Sequence, residues 1–379
     1  MKILFIGARL FDDVAFYLED KKIESIVTES NKDSPNLELP DKHYIVPRGM
    51  EKPMEIAIKE KVDGVIPLIG IDDPLMDVAI FKEELETKYN IPVIASNKGT
   101  INISSDKIKT KEFFKANDIL TPNFQIAENP NQINLNFPIV LKQKAGQGGR
   151  DIAIAKNQKD VNSYFSKFNT ALVEEFIEGS EISIEVLCFN NSYLPLVPVY
   201  KGETTLEGTH PLNKIRSAPC EIEGLNNKEI IAIAYKIANF LKAEGIIDID
   251  FIFSKKYKKL YAIEINTRPS GTRYLTAASS GIHPLNKLVD MVIKKEEFDF
   301  NELKEELNNY FALEIPIGNY EGPLKDKPLK KFIKNSWVVH GPKGYERITI
   351  SGENKEKIEE IAKKTISQEK FKSIKNNQV

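Results

Sequence analysis

Two short runs of the chain, IIDIDFIF at 246–253 and LYAIEINTR at 260–268, alternate apolar and polar residues with a period of two. Successive side chains of a β-strand point to opposite faces, so each run predicts a strand with one buried face and one polar face. The lysine-rich segment SKKYKK that joins them is typical of a hairpin turn. The two runs therefore predict an antiparallel hairpin.

The polar face of this hairpin predicts a metal site. A turn centred on Tyr257 places Asp250 opposite Glu264. It also places Asp248 opposite Asn266, since the members of each pair lie equally far from the turn. Facing like charges destabilise a strand pair, so a cation is expected between them. Hard oxygen ligands without a nearby His or Cys point to Mg²⁺. A simply hydrated polar face is the alternative, at about even odds for one strand, and two strands in matching register favour the metal.

A glycine-rich loop suggests phosphate binding. The segment FPIVLKQKAGQGGRDIAIA carries Gly146, Gly148 and Gly149 between two strand-like runs, with Lys142 before them and Lys144 at the edge of the loop. Glycines let backbone N–H groups close around phosphate oxygens, and a lysine adds a positive charge. No Gly-Lys-Ser/Thr follows and no helix starts there, so this is not a Walker A loop. A plain hairpin turn is the alternative, again at about even odds.

The segment LVEEFIEGSEISIEV carries a weaker signal. An apolar strand leads into Glu174, Glu175 and Phe176. These residues offer backbone groups and apolar surface to an adenine, and Glu181 is available to ribose hydroxyls. Exposed acidic loops are common, so taken alone this segment is better explained as an ordinary loop.

The N-terminal part, up to about residue 100, alternates strand and helix patterns, which predicts an open parallel sheet with helices on both faces. Ligands of such sheets bind beyond the carboxyl ends of the strands, here at 7–9 and 69–73. The sequence GARLFD lacks the second and third glycines of GxGxxG, so a hydride-transferring enzyme is a weak alternative.

The rest of the chain changes character twice. A helix with Ser105 as candidate N-cap is followed by short strands and turns to about residue 185, which predicts a small lid-like module. A second helix has an apolar stripe typical of ordinary core packing, formed by Ile230, Ala234, Ile237 and Leu241. Beyond about Phe300 the sequence is more polar and ends in a solvated helical pattern.

Composition limits the function classes. A chain of 379 residues predicts two or three packed units. With 53 basic and 55 acidic side chains there is no net field to attract nucleic acid or a membrane, so small-molecule partners are expected. Neither of the two cysteines lies in a CxxC or His/Cys cluster, which fits a reducing cytoplasm. The N-terminus predicts a strand and not a signal peptide, and no run reaches the roughly 18 apolar residues of a membrane span.

In this order and spacing, the metal hairpin, the glycine loop and the acidic strand end resemble the ATP-grasp superfamily, from the N-terminus to about Phe300. EINTRPSGT at 264–272 is the most specific match. The chain is most similar to carbamoyl-phosphate-synthase-like and biotin-carboxylase-like members, and to single-chain amino-acid ligases such as the pyrrolysine-pathway lysine ligase. The implied fold is an α/β ATP-grasp fold. Its expected parts are a parallel-sheet pre-ATP-grasp domain (1–100), a small α+β lid with a linker helix (101–185), a larger α+β catalytic subdomain (186–300) and a C-terminal extension (301–379).

The resemblance also implies roles for particular residues. Glu264 and Asn266 would bind Mg²⁺, and Arg268 would meet the transferred phosphoryl group. Asp250 would supply the other metal carboxylate, although it is shorter than the Glu or Gln common there. The implied ATP site consists of Lys107 and Lys142 at the phosphates, the loop from Lys144 to Arg150 above them, Glu174 and Phe176 at adenine, and Glu181 at ribose.

The implied activity is that of an ATP-dependent carboxylate–amine ligase. It would act on amino-acid-like small molecules through an acyl phosphate and release ADP and phosphate, with Mn²⁺ able to replace Mg²⁺. The remaining cleft would be lined by the segments 206–220 and 69–73, and the candidate substrate residues are His210, Arg216, Arg273, Gly70 and Asp72. A lone histidine is more often structural than catalytic. A phosphotransferase and a non-catalytic nucleotide sensor are the alternatives, and a homodimer is compatible with all three.

Overall fold

A computed structural model describes residues 1–146, 149, 151–206, 214–319, 335–342 and 344–365. Within these residues lie three β-sheets. No helix among them is long and apolar enough to cross a membrane.

The N-terminal sheet is parallel, with strand order β3-β2-β1-β4. Its strands are β1 (Lys2–Ile6), β2 (Glu24–Glu29), β3 (Lys42–Ile45) and β4 (Gly64–Pro67), and its helices are α1 (Ala15–Asp20), α2 (Glu51–Glu60) and α3 (Leu75–Tyr89). Strand β1 is apolar along most of its length because it is covered on both faces. The predicted open parallel sheet is confirmed. Gly7 ends β1 at φ +99°, and a Cβ there would lie 3.1 Å from the Leu68 carbonyl oxygen.

The second sheet is small and antiparallel, with order β5-β8-β6-β7. Two helices lead into it, α4 (Lys98–Ser104) and α5 (Lys107–Ala116), and its own elements are β5 (Phe124–Ala127), β6 (Ile139–Lys142), β7 (Ala153–Ala155), α6 (Gln158–Phe165) and β8 (Ala171–Glu175). The N-cap of α5 is Asp106, whose carboxylate accepts from the backbone N–H of Ile108 at 2.9 Å. The predicted N-cap, Ser105, is wrong by one residue, because Ser105 already ends α4 and donates to the Ile101 carbonyl.

The third sheet is the largest. Its order is β14-β13-β9-β11-β12-β15-β17-β16, with β10 paired to β9. Its strands are β9 (Ser180–Phe189), β10 (Ser192–Pro195), β11 (Val199–Glu203), β12 (Arg216–Ala218), β13 (Gly245–Ser254), β14 (Lys259–Asn266), β15 (Phe311–Gly318), β16 (Trp337–His340) and β17 (Glu346–Gly352). Its helices are α7 (Asn227–Leu241), α8 (Arg273–Ser280), α9 (Pro284–Lys294), α10 (Phe300–Glu305) and α11 (Lys355–Thr365). The predicted apolar stripe of α7 is buried in the core.

Two of the predicted domain boundaries do not coincide with the ends of sheets. The boundary at 185 falls inside β9. The boundary at 300 separates strands of one sheet, since β12 pairs with β15 through Ala218 and Ala312. The polar character of the sequence beyond Phe300 hid this continuity, because β15 buries only one face well and its strand partners lie far away in sequence. The four-part division of the chain stays a prediction.

Candidate active site

The hairpin β13–β14 has the predicted register. Asp250 pairs with Glu264, and Asp248 pairs with Asn266. A bulge follows immediately after Asp250, so the matched alternation holds on the side of the hairpin that leads to Arg268. The strand register therefore brings a row of oxygen-bearing side chains to one edge of the large sheet.

These residues fit a hard divalent cation. The donors are carboxylate and amide oxygens, and the Glu264 side chain is 29% exposed with its nearest cation, Lys107 Nζ, at 3.8 Å. Among the described residues, no group of three or more His, Cys, Asp or Glu closes around one point. The protein would thus supply part of the coordination and leave the rest to phosphate and water, which is the arrangement that Mg²⁺ favours.

Sequence reasoning missed a lysine at this site. Lys201 on β11 reaches the Asp250 carboxylate, with Nζ 2.6 Å from Oδ1. Burial lowers the pKa of Lys201, but the attraction of Asp250 and Asp248 outweighs it and leaves the pKa raised. The predicted metal carboxylate Asp250 is therefore already paired with a cation of the protein.

A pair of buried acids lies next to the predicted metal carboxylate Asp250. Glu185 on β9 pairs with Asp248 on β13, and the two residues are 0% and 4% exposed. Neither oxygen of Glu185 has a hydrogen-bond partner of ordinary geometry among the described residues, and Thr276 and the Ser270 backbone lie close enough only to oppose part of the effect of burial. Burial raises the pKa of Glu185 to about 7. Burial and the neighbouring Asp250 raise the pKa of Asp248 as well, so this part of the wall favours protonated acids.

On the other side of the hairpin, Glu174 is held between two lysines. Its oxygens lie 3.1 Å from Lys111 Nζ and 3.0 Å from Lys142 Nζ, and its side chain is 3% exposed. Burial raises the pKa of Glu174, but the two lysines reverse this and lower it. Burial lowers the pKa of Lys111 to about 8. The Glu174 side chain is thus committed to the lysines, and its predicted role at adenine, through backbone groups, stays a prediction.

The start of the glycine loop is tied to helix α5. The Lys107 ammonium donates to the Gly146 carbonyl at 2.6 Å, and the Lys107 backbone N–H donates to the Lys144 carbonyl at 2.9 Å. Lys144 itself pairs with Asp106 at 3.1 Å. Gly146 has φ +122° and Gly149 has φ +79°, conformations that glycine adopts without strain. Gly148 and Arg150 lie outside the described residues.

Arg268 joins the hairpin to the N-terminal domain. Its Nε donates to Asp72 Oδ1 at 2.5 Å, and its Nη2 donates to Asn266 Oδ1 at 3.3 Å. Asp72 belongs to the loop after β4, and the neighbouring Gly70 is exposed. The predicted phosphoryl contact and one predicted substrate loop therefore meet at one point, at the edge of the cleft.

The other predicted substrate residues are held in ion pairs. Arg273 donates through Nε to Asp13 at 2.6 Å, and Tyr274 also donates to Asp13. Arg216 donates through Nη1 to Glu314 at 3.3 Å, and the side chains of both residues are almost fully buried. These arginines are placed to orient the cleft wall. His210 lies outside the described residues.

The predicted ribose residue is also paired, since Glu181 Oε1 lies 2.8 Å from Lys214 Nζ. Phe176 is partly buried at the end of β8, and its backbone N–H donates to the Pro138 carbonyl at 3.3 Å. Lysines of α5 and β6 thus lie on the side of the small sheet, and oxygen ligands with Arg268 lie on the side of the large sheet, with Lys107 Nζ and the Glu264 carboxylate 3.8 Å apart. We call the space between them the cleft, and its charge pattern suits a nucleoside triphosphate.

Comparisons with known proteins agree with this geometry. A sequence profile of the ATP-grasp domain matches residues 104–272. A carbamoyl-phosphate synthase of Methanobrevibacter smithii is 55% identical over 362 residues, which cover 95% of this chain and 98% of that protein.

More distant relatives are longer. The carbamoyl phosphate synthase large chain of Clostridium botulinum is 24% identical over 384 residues, and the match covers 90% of this chain but 35% of the large chain. This chain thus spans about a third of the length of such large chains. The solved structure of a biotin carboxylase β,γ-ATP complex from Campylobacter jejuni has a TM-score of 0.73 at 17% identity and covers 96% of this chain and 90% of that chain. That likeness shows a shared fold.

Proposed function

The chain belongs to the ATP-grasp family of ADP-forming carboxylate–amine ligases, which use ATP and Mg²⁺, and we propose that it activates a small carboxylic acid as an acyl phosphate and transfers the acyl group to an amine. The observation that carries the proposal is the polar row of β14. Glu264 and Asn266 face Asp250 and Asp248 in register, and Arg268 follows two residues after the end of the strand. A metal site with a phosphoryl-binding arginine beside it is what phosphoryl transfer needs.

ATP would lie between the two antiparallel sheets. Lys142 and Lys107 face the cleft from the lid side, and each is kept in place by a partner, the buried Glu174 for the first and the Gly146 carbonyl for the second. Lysines fixed in this way carry little reorganisation cost when phosphate arrives. Phe176 would supply apolar surface to adenine, and Glu181 would accept from ribose once Lys214 is turned away.

Glu264 and Asn266 would hold the Mg²⁺ ion. When bound, the ion neutralises charge on the phosphoryl oxygens and orients them for in-line attack. The neighbouring Arg268 has its guanidinium fixed by Asp72 and Asn266, and is thereby oriented before the reaction begins.

The chemistry then has two displacements. A carboxylate oxygen of the acid attacks the γ-phosphorus, a new O–P bond forms, and the bond to the β-phosphate oxygen breaks to release ADP. The amine nitrogen attacks the acyl carbon, the C–O bond to phosphate breaks, and the amine loses a proton. The glycine loop would cover the acyl phosphate and exclude water, which otherwise hydrolyses it.

Amino-acid-like substrates are the class we favour. Arg216 and Arg273 stiffen the wall around the cleft, and the exposed loop at Gly70 and Asp72 is left to contact the substrate. The name carbamoyl-phosphate synthase carried by the relative from Methanobrevibacter smithii offers bicarbonate as the acid to test beside amino acids. The large chains are about three times longer, so their whole activity is not assigned to this chain.

Trapping with hydroxylamine tests the proposal without knowledge of the amine. Hydroxylamine is a strong small nucleophile and should intercept an acyl phosphate to give a hydroxamate of the acid. Formation should require ATP, Mg²⁺ and the acid together, and should fail in Glu264→Gln and Arg268→Ala. A phosphotransferase would make ADP with an acceptor that lacks a carboxylate and give no hydroxamate. A nucleotide sensor would bind ATP without acceptor-dependent ADP release.

A further inference from the structure

The side chain of Lys201 is aimed at Asp250 by an irregularity in its strand. In the pairing of β11 with β9, Tyr200 faces Ile182 and Gly202 faces Glu181, so Lys201 has no partner residue and forms a bulge. A bulge bends the strand and redirects the extra side chain. Gly202 adopts φ +101°, which a larger residue would adopt only with strain. The backbone is therefore shaped to present this lysine.

The redirected lysine crosses a neighbouring strand to reach its partner. Strand β9 lies between β11 and β13, and its residue opposite Asp250 is the small Ser183. The lysine passes this position and places Nζ 2.6 Å from Asp250 Oδ1. The side chains are 19% and 23% exposed, so the ion pair lies in the wall of the cleft.

The two predicted metal carboxylates, Glu264 and Asp250, therefore differ in how readily they can bind a metal ion. Among the described residues, the cation nearest to the Glu264 carboxylate is Lys107 Nζ at 3.8 Å, beyond hydrogen-bond distance. Asp250 is held by a lysine at 2.6 Å, and drawing its carboxylate to a metal would leave the partly buried Lys201 ammonium without its counter-charge. Among the described residues, Asp250 is the one acceptor of the Lys201 ammonium, which keeps further N–H donors for a ligand.

We propose that Lys201 is a fixed cation of the active site, which holds Asp250 away from the metal and donates to the oxygens of the transferred phosphoryl group beside it. The inference rests on the proposed function, since it assumes a nucleotide in this cleft. The metal is then held by Glu264 and Asn266. The short Asp250 is suited to this role because its carboxylate stays back at the sheet, where the lysine meets it.

Metal binding separates this arrangement from a shared metal. The probe is Mn²⁺, and its affinity is measured by electron paramagnetic resonance with the full chain and a saturating non-hydrolysable ATP analogue. We expect Asp250→Asn to bind Mn²⁺ within about threefold of the wild type, and Glu264→Gln to bind it at least about tenfold more weakly. A loss in Asp250→Asn as large as that in Glu264→Gln would overturn the proposal, because Asp250 would then be a ligand.

Substitution of the lysine gives a second readout. Lys201→Met frees Asp250, so Mn²⁺ should bind several-fold more tightly, while turnover should fall by about 10- to 100-fold because a cation at the phosphoryl group is lost. Opposite changes in the two measurements would not arise from a loosened fold. Lys201→Arg keeps the charge and should retain the wild-type Mn²⁺ affinity. Unchanged or weaker Mn²⁺ binding in Lys201→Met counts against the proposal.

Nucleotide binding in the cleft, which this inference assumes, is tested separately. Calorimetry of the wild type with the ATP analogue and Mn²⁺ reports nucleotide binding whatever Lys201 does. Absence of nucleotide binding would overturn the proposed function and the inference together. Normal nucleotide binding with a strong metal defect in Asp250→Asn would overturn the inference alone.

Discussion

Two groups of charged residues, here called the metal face and the buried clamps, use their charges differently. On the metal face, defined as Asp250, Glu264 and Asn266, the carboxylate side chains are 23% and 29% exposed. In the buried clamps, which are centred on Glu174 and Asp13, the carboxylate side chains are 3% and 0% exposed, and each contacts two donors. On the metal face, Glu264 keeps its charge available to a ligand and Asp250 is paired with Lys201, whereas both clamp carboxylates are neutralised inside the protein.

This difference has an energetic consequence. A partly exposed acid whose nearest cation is remote contributes little to stability, because water solvates it nearly as well in the unfolded chain. Removal of one partner from a buried ion pair leaves a charge that nothing compensates, at a cost of about 3–5 kcal/mol. Substitution of Glu264 should therefore change activity alone, and substitutions in the clamps should change stability as well.

The largest effect is expected at Asp13. Asp13→Asn removes the charge that Arg273 and Tyr274 share, and leaves the largely buried Arg273 without the carboxylate that it pairs with. The free energy of unfolding in urea should fall by about 3–5 kcal/mol. Asp33→Asn, a matched change at an exposed site, should alter it by less than about 0.5 kcal/mol. If the two substitutions lowered the free energy of unfolding equally, the proposed difference between the clamps and partly exposed acids would be wrong.

The next effect tests the metal face. Glu264→Gln keeps the shape of the side chain and removes the charge of a metal carboxylate, so turnover should fall by about 10²–10³-fold. The free energy of unfolding should stay within about 0.5 kcal/mol, because Lys107 is 3.8 Å away and forms no close pair. Steady-state kinetics and urea unfolding of the same preparation check both halves. Glu360→Gln on the exposed surface of α11 serves as the charge-matched control.

A smaller effect, on both stability and ATP affinity, is expected at Lys142, where the Glu174 clamp borders the proposed nucleotide site. Lys142→Met keeps most of the buried stem and leaves Glu174 with Lys111 as its one remaining partner. The free energy of unfolding should fall by about 2–3 kcal/mol, less than the full cost of a broken buried pair. The affinity for ATP, measured by calorimetry, should fall in the same variant. A loss of affinity with unchanged stability would place Lys142 with the metal face and not with the clamps.

The metal face and the buried clamps also differ in how well the sequence predicts them. The register of β13 and β14 follows from strict alternation and a short turn, because a strand has a period of two and a hairpin fixes the pairing. The parallel N-terminal sheet follows from alternating strand and helix patterns in the same way. Local periodicity is sufficient wherever the partner is the next element along the chain.

Long-range pairs carry no such signal. Asp13 and Arg273 are 260 residues apart, and their contact depends on how the N-terminal domain docks against α8. Lys201 meets Asp250 only because β11 lies beside β9 and carries a bulge, which strand alternation does not reveal. Lys111 had one usable signal, since it lies four residues after Lys107 and so shares a face of α5 with it. The clamps were missed because burial of charge is set by tertiary packing.

Glu185 is as buried as the clamp carboxylates, but among the described residues neither of its oxygens has a hydrogen-bond partner of ordinary geometry. It faces Asp248 on β13 and lies near Arg273 and Thr276 of α8. Its pKa is raised by burial from 4.5 to about 7, so between these pH values the folded chain holds a proton that the unfolded chain has lost. Stability should therefore decrease as pH rises through this window.

Glu185→Gln should remove that decrease, since a neutral amide has the same charge on both sides of the window. Relative to the wild type, the variant should gain on the order of 2 kcal/mol in free energy of unfolding between pH 5 and pH 8. Glu229→Gln, at an exposed position of α7, should show the wild-type pH profile. If the free energies of unfolding of wild type and Glu185→Gln changed in parallel with pH, a cation or donor would compensate Glu185 in solution. Glu185 would then belong with the buried clamps.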